Sequence, residues 1–144
     1  MLSAGLSGCG NPNRDIGSSD DIYDRIRTAI TLDSRMPALL GDRLETYYGV
    51  LPDDVEDFYA LLPTSAASAV EIAIIRFKDA DKAKAAEAGF ERRAEEIMKS
   101  FETYIPAQYE VARKYVLSVK GKYLLFLIHE DAEKGRTAFE GMFR

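Results

Sequence analysis

The stretch Tyr123-Leu124-Leu125-Phe126-Leu127-Ile128 decides how this chain folds. Six consecutive apolar residues make a strand-sized run, far short of the roughly 20 that a membrane-spanning helix needs. A strand that is apolar on both faces belongs at the centre of its sheet. Its neighbours follow from the flanking residues. Lys120-Gly121-Lys122 is a tight turn, because glycine supplies the positive φ such turns require, so Tyr115 to Val119 is the other arm of a hairpin. Further back, Val70 to Phe77 is rich in β-branched and aromatic residues and reads as a strand, with Glu71 and Arg76 facing away or near its ends.

Between these strands the period changes. Ala83, Ala86, Phe90, Ala94, Ile97 and Phe101 recur every three or four residues, which predicts one long helix from Asp79 to about Phe101. Gly89 sits inside it at a cost of about 1 kcal/mol. Tyr104-Ile105-Pro106 interrupts, and Ala107 to Ala112 adds a further helical turn or two. A final helix runs from Asp131 to about Met142. Towards the N-terminus, Ser18 or Ser19 caps a helix from Ser19 to Ile30, with Asp20 and Asp21 in its first turn. Leu44 to Tyr48 reads as a short helix stopped by Gly49, and Asp53 to Leu61 as another, ended before Pro63. The order predicts an α+β fold, a two-layer sandwich with helices over one face. Its sheet is mixed and three-stranded in the order 2-3-1, with a long crossover helix and a C-terminal helix, preceded by short N-terminal helices.

The 144 residues suit a single domain, taken as 20–144, and 47% hydrophobic with 30% charged residues suits one globular core. The net charge of −5 is unevenly placed: Arg14 to Asp57 holds eleven acids against five bases, and the rest is nearly neutral. No basic stripe is offered to a phosphate backbone, so nucleic acid is not an expected partner. One cysteine and one histidine cannot build an internal disulfide or a thiolate cluster, so neither a metal nor another cofactor is expected.

The cysteine itself is informative. Leu6-Ser7-Gly8-Cys9 has the form of a bacterial lipobox, an aliphatic residue and two small ones before a thiol that takes the lipid. Residues 1–9 are read as the remnant of a longer signal peptide, since the eight residues before Cys9 include no base and are too few for one. Gly10 to Ser19, polar and rich in turn formers, reads as a flexible tether. The expected location is extracytoplasmic, with the membrane as a partner through lipid on Cys9.

The segments Asp53 to Tyr59, Ala69 to Ile75, Lys78 to Ala83, Ser100 to Pro106 and Val119 to Tyr123 together resemble the family catalogued as domain of unknown function 4358. The likeness spans roughly Ile22 to Ala138. It implies a Gram-positive, largely clostridial, lipoprotein or secreted protein, and carries no established activity or catalytic residue.

Candidate sites are few. His129, followed by Glu130 and Asp131, is the one candidate for a general base, in a cell-surface enzyme. No nucleophile context surrounds Ser100 or Ser118. Asp53, Asp54, Glu56 and Asp57 lack the spacing of a calcium loop. The tyrosines are the better lead: Tyr104, Tyr123, Tyr48 and Tyr59 are candidates to line a surface for an envelope protein, peptide or glycan. The expectation is therefore a non-catalytic binding or interaction module, with the His129 enzyme and a structural accessory domain as alternatives.

Overall fold

A computed structural model describes residues 10–144. Its elements are α1 (Ser19–Ile26), α2 (Leu44–Tyr48), β1 (Val55–Leu61), β2 (Glu71–Phe77), α3 (Ala80–Ala85), α4 (Glu87–Phe101), α5 (Pro106–Arg113), β3 (Val116–Lys120), β4 (Tyr123–Ile128) and α6 (Ala132–Gly141). The fold is α+β, and the sheet has four strands in the order β1-β2-β4-β3, every neighbouring pair antiparallel. β4 lies between β2 and β3 and is buried along its whole length, as a strand apolar on both faces must be.

Several expectations need correction. The stretch Asp53 to Leu61 is not a helix: a 3-10 turn at Pro52–Asp54 leads into β1. The aspartates do look like a helix start, but Val55, Phe58 and Tyr59 suit a pleated strand, and β2 would otherwise have an open edge. Tertiary pairing overrode the local signal. The sheet is therefore four-stranded and antiparallel, not three-stranded and mixed.

Nor are the helices confined to one face. Ala73, Ile75, Leu124 and Phe126 point into a core with α2 and α4, while Ile72, Ile74, Leu125 and Leu127 point into a second core with α1 and α6. The architecture is three layers, helix, sheet, helix. The expected long helix is also two helices, α3 and α4, broken at Ala86.

Gly89 explains its own presence. A Cβ there would stand 2.0 Å from the Tyr48 carbonyl oxygen, so α4 can approach the end of α2 only with glycine at this position.

The segment 10–19 is not free of the domain. Asn11 N–H donates to the Phe143 carbonyl at 2.6 Å, Arg14 Nη1 donates to the Arg144 carbonyl, and Ile16 is buried. Ser18 caps α1 in a reciprocal capping box with Asp21. This arm crosses the β3–β4 turn, where Gly121 has φ +56° and a Cβ would stand 2.1 Å from the Pro12 carbonyl oxygen.

Candidate functional site

His129 ends β4 with both ring nitrogens engaged. Nε2 lies 2.7 Å from the Thr31 carbonyl oxygen, and Nδ1 accepts the Asp131 N–H at 2.8 Å. A carbonyl can only accept, so Nε2 carries the proton in this arrangement. The ring ties the chain after α1 to the start of α6. Beside it lies a hollow of about 210 Å³ whose walls include Thr31, Ser68 and Glu130. A general base needs a free lone pair within reach of a substrate proton, and the one lone pair of this tautomer is spent on the backbone.

A second polar centre was not expected. Glu71 is fully buried at the start of β2. Arg93 on α4 grips it with two hydrogen bonds, Nε to Oε2 at 3.0 Å and Nη2 to Oε1 at 2.6 Å. The Tyr48 hydroxyl donates to Oε2 at 2.8 Å, and the guanidinium sits over the Tyr47 ring at 4.8 Å from its centroid. Burial, with the Glu71 carboxylate close by, pushes the Tyr48 hydroxyl well above the ordinary tyrosine range. The charge is satisfied by a bidentate pair and a third donor, the requirement for a carboxylate out of water. The sequence signal was there: a glutamate inside the apolar run from Ala69 to Phe77 either faces solvent or has a partner, and the choice could not be made without α4.

A third cluster holds the arm. The Tyr123 hydroxyl lies 2.9 Å from both Asp15 Oδ1 and the Gly17 carbonyl and accepts the Ile16 N–H at 3.2 Å. The Gly17 N–H and this hydroxyl hold the Asp15 carboxyl below the usual carboxylate range. Arg76 meets Asp15 at 2.8 Å, Asp57 at 3.3 Å and Glu56 at 3.5 Å, and Glu56 also takes Lys122 at 3.2 Å.

The four candidate tyrosines do not share a surface. Tyr48 and Tyr123 are buried in the two opposite cores, Tyr59 stacks on Tyr23 with ring centroids 4.1 Å apart, and Tyr104 alone is well exposed, at 70%. Two rings serve as core, as the apolar bulk of tyrosine favours when its hydroxyl finds a partner. Among the described residues the large aliphatic side chains left to solvent are Leu40 and Leu51, next in sequence to Gly41 and Pro52 of a shallow groove of about 300 Å³ floored by Leu44, Val55 and Phe58. A larger cleft of about 490 Å³ runs between Gly49–Leu51 and α3, where Lys82 meets Asp54 at 3.1 Å. Among the described residues no group of three or more His, Cys, Asp or Glu is placed to hold a metal ion. Ser118 donates to Glu140 at 2.6 Å and Ser100 to the Glu96 carbonyl, so each hydroxyl is spent locally. Cys9 lies outside the described residues.

With the geometry in hand, comparison with known proteins is decisive at one level. The model of the family described as a domain of unknown function, number 4358, matches residues 29–129, more than two-thirds of the chain. This chain belongs to that family. The matched span runs from the turn after α1 to His129, and so takes in the whole sheet and the Glu71–Arg93–Tyr48 centre. No curated protein and no solved structure matches it.

Proposed function

We propose that this family member is a non-catalytic binding or interaction module of the cell envelope, held on the outer side of the membrane by lipid on Cys9. The observation that carries the reading is the Leu6-Ser7-Gly8-Cys9 lipobox set directly ahead of a folded domain. Lipoprotein processing needs that order of residues: small side chains before the cut, then a thiol for the diacylglycerol. The binding half is supported by the use already made of the polar side chains. His129 is tied to backbone through both nitrogens, and Glu71 and Arg93 saturate each other. The exposed Leu40 and Leu51 beside the shallow groove supply the apolar surface that a partner can bury.

The test is mass spectrometry of the mature N-terminus, with the gene expressed from its native upstream DNA in its own host. The expected species begins at Cys9 and carries a diacylglyceryl group. An unlipidated chain retaining the residues before Cys9 would sink the envelope assignment.

A further inference from the structure

We infer that the end of the domain formed by the N-terminal arm, the β3–β4 turn and the end of α6 rests on an anionic phospholipid surface. The inference rests on the lipid-anchor reading above and adds the orientation to it. A free tether of ten residues would let the domain tumble at a distance of tens of ångströms from the bilayer. The arm forbids that. From Asn11 onward it is bonded to Phe143 and Arg144, lies across Gly121, and is locked by Asp15 and Tyr123. Gly10, one residue after Cys9, already stands against the Phe143 carbonyl. Consecutive Cα atoms are about 3.8 Å apart, so lipid on Cys9 has only a residue or two of slack before this end of the domain meets the headgroups.

The charges at that end fit the occupant. The Lys120 and Arg144 side chains form no ion pair among the described residues, Arg14 is held on the main-chain oxygen of Arg144, and Lys122 shares Glu56 with Arg76. The nearby acids are spoken for: Asp15 and Asp57 face Arg76, and Glu140 faces Ser118 and Arg136. The acids elsewhere at this end of the sheet lie apart from that edge: Asp53 and Asp54 belong to the entry of β1, at the opposite edge from β3, and Asp79 and Asp81 to α3 and its cap, on the face of the sheet opposite α6. Contact is therefore one-sided: the domain leans on its β3–α6 edge. The antiparallel order then carries His129, at the other end of β4, to the side away from the lipid.

Cys9 is the single cysteine, so the full chain can be coupled to maleimide-bearing lipid in vesicles whether or not cells lipidate it. Lysines are then acetylated on anionic phosphatidylglycerol vesicles and on neutral phosphatidylcholine vesicles, and the sites are quantified by mass spectrometry. On anionic vesicles at low salt, labelling of Lys120 and Lys122 is expected to fall at least about fivefold, the scale of one basic group near an anionic surface. Lys84 on α3 and Lys99 near the far end of α4 should label equally on both. High salt, or Lys120→Glu in a chain of unchanged thermal stability, should restore labelling of Lys122. Equal labelling of Lys120 and Lys122 on the two surfaces overturns the inference, as does protection of Lys84 or Lys99 instead. Absence of lipid on Cys9 in the host would defeat the anchor reading without changing this vesicle result, so the two failures are separable.

Discussion

Arg93 makes both of its side-chain hydrogen bonds to Glu71, and the dependence runs both ways. Glu71 is buried without exposure, whereas the Arg93 side chain is 20% exposed, so removing the arginine strands a charge that water cannot reach. Breaking a buried pair from one side typically costs about 3–5 kcal/mol, while replacing both partners by apolar residues of similar size is often neutral. Arg93→Met is thus expected to lose stability on that scale in urea unfolding, and Glu71→Met with Arg93→Met to recover most of it. A double variant as unstable as Arg93→Met would show that the ion pair is not what the site needs. His129 belongs to the same category of polar residue used as structure. Its position before Glu130 and Asp131 suggests a base, and nothing local reveals that the Thr31 carbonyl, 98 residues earlier, accepts the hydrogen bond of its Nε2–H.

At the level of elements, close approach is carried by two glycines. Gly89→Ala improves helix propensity by about 1 kcal/mol but drives a Cβ into the Tyr48 carbonyl, and overpacking of that kind costs about 1–3 kcal/mol or more. The net expectation is a lower Tm, by roughly 2–4 °C per kcal/mol for a chain of this length; a raised Tm would show that α2 gives way easily. Gly121→Ala acts elsewhere. It meets both a left-handed φ and the Pro12 carbonyl, so the arm should lift while the sheet persists. Limited proteolysis should then cut within residues 10–15 much faster than in the parent chain, with circular dichroism unchanged. β1 gives the complementary lesson. Its acidic start imitated a helix cap, and only the unfilled edge of β2 made it a strand.

For the whole molecule, pH dependence follows from the two buried tyrosine clusters. Tyr48 and Tyr123 both have hydroxyls raised by burial above the ordinary value of 10.0. A group whose folded pKa lies above its unfolded one contributes stability that is complete below the unfolded value and fades as pH rises towards the folded value. Tm should therefore hold up to about pH 10 and then fall steeply, with tyrosinate absorbance from the buried rings appearing together with unfolding. Ionisation of every tyrosine in the still-folded protein would contradict the burial of these rings. Asp15 works in the opposite sense: its lowered folded pKa adds stability above the ordinary 3.8, which is lost as pH falls below it. Acidification should release the arm before the sheet.

By itself the sequence determined the members of the sheet whose signals are local. The apolar run of β4, the glycine turn into β3, the β-branched β2, and the position of β4 between β2 and β3 all followed from period and turn chemistry. So did the apolar stripe of α4 and the start of α6. Only the tertiary structure decided that β1 is a strand, that helices cover both faces, that Glu71 is buried, and that the arm is clasped. Each depends on a partner 19 to 132 residues away: Arg76 for Asp57, Arg93 for Glu71, Phe143 and Arg144 for Asn11 and Arg14. Periodicity reports which face of an element is apolar; it cannot report which distant polar group waits there to make burial of a charge tolerable.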